Sequence, residues 1–158
     1  KSVKLIKNSI KFHVHNYCMK KLNFLLLILG IIQVMVAVGA LPVGYLFITH
    51  PDGSALGMNI EMLANSPFSD FLIPGIALFL FNGIYHLISA ILCFLHNNFA
   101  PYFAAIAGIG LIIWILVQVY AIGLNSYLQP VYFAVGFSEL LLSLILIKRK
   151  YVKSTKSR

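Results

Sequence analysis

Apolar residues run through this chain in four long blocks, separated by short polar stretches. The blocks cover residues 22–48, 71–95, 101–124 and 131–147. At about 1.5 Å per helical residue, the first reaches about 40 Å and the others approach or exceed the roughly 30 Å of a bilayer's hydrocarbon core. A cleaved leader is a rival reading of the first block, because Lys20 and Lys21 precede it and small residues follow at Ala37, Gly39 and Ala40. Apolar character continues to Ile48, however, well past the roughly 7–15 residues of a leader's apolar region. The pattern predicts an all-α, up-down, four-helix transmembrane bundle. Three segments follow: a basic N-terminal segment at 1–21, a membrane domain at 22–147 and a basic tail at 148–158.

The polar stretches carry turn chemistry. Residues 49–70 form the longest, with His50-Pro51-Asp52-Gly53 as a turn signal and a short helical turn expected over 58–63. Ser66-Pro67 reads as a helix N-cap followed by proline at the first helical position, with Asp70 favouring the helix dipole. A kink is expected near Pro74. Turns fall at 96–99 and 125–129, and Pro130 suits the start of the fourth helix. A weak duplication shows in Gln33-Val34 against Gln118-Val119, and in Pro74 and Pro130 near the starts of the second and fourth blocks.

Charge fixes an expected orientation. Of 12 Lys and Arg, six lie at or before Lys21 and six at or after Lys148, with none between. Basic flanks at both ends of an even number of spans place both termini in the cytoplasm, where they attract anionic headgroups. The net charge of +8 therefore follows membrane topology, and no groove-reading motif accompanies it to suggest nucleic acid. Lys1, Lys4, Lys7 and Lys11 recur at helical spacing with Val3, Ile6, Ile10 and Val14 between them. They read either as an interfacial helix or as an extension upstream of Met19. Composition agrees with a membrane solvent: 60% hydrophobic, 10% charged, mean hydropathy +0.91.

Within such helices the polar residues are the informative ones, because each is costly in hydrocarbon. At 100° per residue, Gly30, Gln33, Ala37, Ala40 and Gly44 share a face in the first helix. Gly75, Asn82, His86, Ser89 and Cys93 share one in the second. The third offers Ala100, Ala104, Ala107, Leu111, Trp114 and Gln118, and the fourth Tyr132, Gly136, Glu139 and Ser143. Stripes of small and polar residues are where membrane helices pack. Glu139 is the only acid inside a block, and Gln118 is expected at similar depth as its hydrogen-bond partner. Two readings of Glu139 stand: a proton-binding or substrate-anchoring carboxyl, or a protonated side chain that staples helices. Glu139, Gln118, Asn82, His86 and Gln33 form the candidate intramembrane polar cluster.

Cofactor chemistry finds little to hold on to. His86 has no second histidine within the blocks, which disfavours haem or metal ligation. Cys18 and Cys93 form no CxxC, and both are expected in a reducing setting. Asp52, Glu61 and Asp70 match no calcium loop. Neither a P-loop nor GxSxG nor HExxH occurs, so no catalytic residue, metal or cofactor is expected.

Three stretches carry a resemblance: Asp52-Gly53-Ser54-Ala55-Leu56-Gly57-Met58 with Ser66-Pro67-Phe68-Ser69-Asp70-Phe71-Leu72-Ile73-Pro74-Gly75, then Trp114-Ile115-Leu116-Val117-Gln118, then Leu128-Gln129-Pro130. Over residues 22–147 the chain resembles small bacterial four-span membrane proteins and is loosely similar to the DoxX-like group. That resemblance implies a bacterial cytoplasmic (inner) membrane location and supplies no catalytic residues. The expected role is a non-enzymatic accessory or interaction subunit, with a membrane-protein partner or a homo-oligomer. The alternative is a small oligomeric transporter or proton-coupled conduit using Glu139.

Overall fold

In a computed structural model the regular structure among the described residues is all helical, with no strand. The structure describes the backbone of residues 2–64 and 66–155, and side chains within 20–64 and 66–149. The expectations for 1–18, Cys18 included, and for the tail beyond Arg149 lie outside the described side chains.

Helix α1 spans Ser2–Thr49, α2 Leu72–Ala77, α3 Tyr85–Phe94, α4 Ala100–Ile122 and α5 Leu128–Thr155. A π-helical segment, Leu78–Ile84, joins α2 to α3, so the two make one continuous span. Four spans are long and apolar enough to cross a membrane: Lys20–Thr49, Leu72–Phe94, Ala100–Ile122 and Leu128–Arg149. Their outer surfaces carry Ile31, Met35, Phe81, Ile106, Ile113, Phe137 and Leu141, all substantially exposed. Water would penalise such a surface and lipid does not. The chain is an integral membrane protein.

The core shows the topology. At one end Leu26 and Leu29 of α1 pack with Cys93 of α3, Ala100 and Ala104 of α4 and Leu146 of α5. At the other, Ala40 and Phe47 of α1 meet Leu78, Ala121 and the loop residues Leu63 and Phe71. The start of each odd span therefore meets the finish of each even one, which is an up-down bundle with Lys20 and Arg149 at one end. Small residues set the spacing between helices. A Cβ on Gly108 would lie 2.7 Å from the Gly136 carbonyl oxygen, and one on Gly44 2.8 Å from the Phe79 nitrogen. Backbones this close maximise dispersion contacts, the main attraction left where lipid cancels the hydrophobic drive.

The 50–70 loop is folded rather than loose. Two 3₁₀ turns, Ser54–Leu56 and Ile60–Leu63, carry it across one end of the bundle. Phe71 is buried and stacks on Phe47, with ring centroids 4.8 Å apart and an interplanar angle of 10°. The expected N-cap at Ser66 is displaced. The Ser66 hydroxyl donates to the Leu63 carbonyl and accepts from Phe68 N–H, forming a local turn. The helix begins only at Leu72, whose N–H reaches Asp70 Oδ1 at 2.9 Å.

Candidate functional site

The four small-and-polar stripes point inward. Gln33, Asn82, His86, Ser89, Glu139 and Ser143 are each at most 1% exposed, among the most buried side chains of the bundle. On the second span Asn82, His86, Ser89 and Cys93 make a polar ladder about 16 Å long at 1.5 Å per residue, roughly half the hydrocarbon thickness.

The π segment shapes this ladder. Tyr85 N–H bonds the Leu80 carbonyl, five residues back. The Phe81 carbonyl lies in this widened turn, and His86 Nδ1 is 3.1 Å from its oxygen. A carbonyl only accepts, so Nδ1 carries the proton and fixes the tautomer. Single π turns inside α-helices recur at functional sites.

The tautomer decides the chemistry at the other nitrogen. His86 Nε2 faces Glu139 Oε2 at 3.4 Å, and both side chains are fully buried. The two are within ion-pair distance but too poorly aligned to count as hydrogen-bonded, so Nε2 and both carboxyl oxygens have no such bond. With Nδ1 already protonated, one further proton belongs to the pair. It sits on Nε2, giving imidazolium and carboxylate, or on Glu139, giving imidazole and carboxylic acid. Both arrangements have zero net charge, the form hydrocarbon tolerates. Removing that proton would leave a carboxylate facing a lone pair.

Around the pair, Gln33 Nε2, Asn82 Oδ1 and Ser89 Oγ also lack hydrogen-bond partners. The Cys93 thiol lies 3.9 Å from Gln33 Oε1, at the outer limit for a sulfur donor. Ser143 donates to the Glu139 main-chain carbonyl at 2.7 Å. Six buried polar atoms without a hydrogen-bond partner are costly to a protein interior.

Gln118 is placed elsewhere. It is half-buried and makes no hydrogen bond to a described residue. The α4–α5 crossing explains this: Glu139 Cβ packs against Gly108, and Gln118 lies ten residues further along, about 15 Å away. The carboxyl's neighbour is His86, on a different span from the one expected.

Gln118 instead lines a cavity of about 570 Å³ between the spans, roofed by the 50–70 loop. Asn82 lines it too, with Trp114, Tyr132, Phe47 and Phe71, and none of its lining residues is charged. Among the described residues no group of three His, Cys, Asp or Glu is arranged to hold a metal ion. Comparison with characterised proteins gives no match to a protein family, a curated protein or a solved structure.

At the loop, Asp52 Oδ1 accepts the Ser54 hydroxyl at 2.8 Å and Ser54 N–H at 3.2 Å. These bonds hold its carboxyl below the ordinary aspartate range, with the hydroxyl the larger cause. Asp52 and Asp70 thus serve as turn acceptors, while Glu61 is exposed. Sequence reasoning singled out His86 and Glu139 separately. What it missed was their pairing and the π turn that fixes the histidine tautomer, for which no residue pattern gives a reliable signal.

Proposed function

We propose that this protein is a small proton-coupled conduit of the membrane in which His86 and Glu139 hold the transferred proton. The observation that carries the reading is the Nε2–Oε2 approach of 3.4 Å between two fully buried groups on different spans. Such a pair exchanges one proton between two sites at no change of net charge. Asn82 toward the loop end and Ser89 with Gln33 toward the other give unpartnered polar atoms on both sides of it. These are positions from which water or a substrate group can reach the pair.

The accessory-subunit reading rests on the absence of catalytic motifs and on small-residue stripes as helix-packing surfaces. Those stripes are occupied inside the bundle, where Gly30, Ala37, Gly108 and Gly136 are buried against neighbouring spans of the same chain. They therefore offer little to a partner. Four spans are few for a carrier acting alone, so the conduit works as a homo-oligomer. Basic flanks and the resemblance to DoxX-like proteins support a bacterial cytoplasmic membrane, with both ends inside against anionic headgroups.

The test is proton flux into liposomes loaded with a pH dye, driven by a potassium diffusion potential. Flux above that of protein-free liposomes, lost in Glu139→Gln, is the expected result. Absence of flux, or flux that Glu139→Gln leaves unchanged, overturns the reading.

A further inference from the structure

The cavity beneath the 50–70 loop ends at Asn82, on the loop side of the proton pair, and the pair itself does not line it. We propose that this cavity is a binding site for a neutral, lipid-soluble alcohol, with a long apolar body and a single hydroxyl head. At about 570 Å³ it falls within the range of small-molecule sites. Its walls are apolar and aromatic, built from Phe47, Phe71, Leu78, Trp114 and Ile115. No lining residue is charged, so a carboxylate, phosphate or ammonium head would enter with nothing to neutralise it.

Two amides of the lining, Asn82 and Gln118, have no hydrogen-bond partner among the described residues, and of the two only Asn82 is fully buried. The Asn82 side chain is 1% exposed, and its Oδ1 has no hydrogen-bond partner. Its amide has none from any described residue. The two remaining amides of the lining are engaged. Gln129 Nε2 donates to the Gly123 carbonyl, and Asn125 Nδ2 bonds the Ile122 carbonyl. An amide offers one acceptor and a donor pair, and a hydroxyl answers both through one atom. Leaving that amide bare costs about 1–3 kcal/mol, which the hydroxyl recovers. Apolar ligands reach the site through the bilayer itself, where the alcohol is already dissolved.

The sequence supplies its own reporter. Trp114 is the only tryptophan of the chain and lines this cavity. The experiment uses the full chain in lipid nanodiscs and follows Trp114 fluorescence. Dibromostearyl alcohol is compared with dibromostearate and with dibrominated phosphatidylcholine at equal bromine content. The expected result is saturable quenching by the alcohol, reversed by excess unbrominated stearyl alcohol. The carboxylate and the phospholipid should quench only weakly and in proportion to their amount. Asn82→Leu should raise the half-saturating mole fraction about tenfold, the loss of one hydrogen bond. Equal, unsaturable quenching by all three probes overturns the proposal, as does saturation by the phospholipid chain or by the carboxylate. Competition by the unbrominated alcohol reads the wild-type protein and needs no variant to fold. No proton gradient is involved, so this test and the flux test fail separately.

Discussion

Replacing His86 and Glu139 one at a time and then together tests the pair by the sign of an effect. In His86→Leu the Glu139 carboxyl loses the only side chain among the described residues within ion-pair reach, at 3.4 Å, and stays fully buried. If it remains ionised, breaking the pair costs about 3–5 kcal/mol. If it takes up a proton, an unmade buried hydrogen bond costs about 1–3 kcal/mol. Glu139→Leu similarly strands Nε2. The double variant buries neither polar group and fills the space with apolar volume, a change that is often neutral or stabilising by about 1–4 kcal/mol. The double variant should therefore be more stable than His86→Leu alone by at least about 1 kcal/mol. Glu139→Gln keeps an N–H directed at Nε2 and should lose less than about 2 kcal/mol, the upper end for a hydrogen bond between membrane helices. The assay is reversible unfolding in mixed micelles at increasing dodecyl sulfate, followed by Trp114 fluorescence. Losses that simply add in the double variant would refute the reasoning, because two independent contacts add and a mutually dependent pair does not.

Three other outcomes follow from the packing and the loop. Gly108→Ala places a Cβ 2.7 Å from the Gly136 carbonyl oxygen and 2.9 Å from the Leu140 nitrogen, both backbone atoms that cannot swing away. The same unfolding assay should show a loss of about 1–3 kcal/mol, while Gly110→Ala, with nothing near its Cβ position, should be neutral or stabilising. Phe71→Ala removes the ring stacked on Phe47 and should cost about 3–5 kcal/mol, with faster proteolysis within the 50–70 loop as the local readout. Ser54→Ala removes the hydroxyl that does most to depress the Asp52 titration, so the Asp52 midpoint, read by carbon NMR, should rise toward the ordinary aspartate value. The sign follows from linkage: a depressed folded value gives a contribution present above the unfolded midpoint and lost as pH falls through the folded one.

Much of the architecture was legible in the chain. Block length against bilayer thickness predicts the spans, and the 100° step predicts which residues turn inward. Gln33, Asn82, His86 and Glu139 all do so, because a polar group in hydrocarbon has nowhere cheaper to go. The pairing of faces was not legible. Depth counted inward from expected block ends set Gln118 beside Glu139, but α5 begins at Leu128 and α4 ends at Ile122. From those ends Glu139 lies eleven residues in and Gln118 four, so the two are not level. The register is set by backbone contact at Gly108 and Gly136, a feature of two helices together and of neither alone. The π segment was equally hidden. It brings both Asn82 and Gly83 inside, and no single-residue preference distinguishes the five-residue offset from the four. The loop's Ser66 illustrates competition: the same hydroxyl that suits an N-cap also suits a local turn, and Asp70 took the helix start.

The central claim is that one proton is shared between His86 Nε2 and Glu139 while Nδ1 stays protonated. Nitrogen solid-state NMR of histidine-labelled protein in lipid reads it directly. Nδ1 should carry a proton, and the Nε2 signal should change in Glu139→Gln while the Nδ1 signal does not. An Nδ1 that carries no proton, or an Nε2 signal indifferent to Glu139→Gln, would contradict the account.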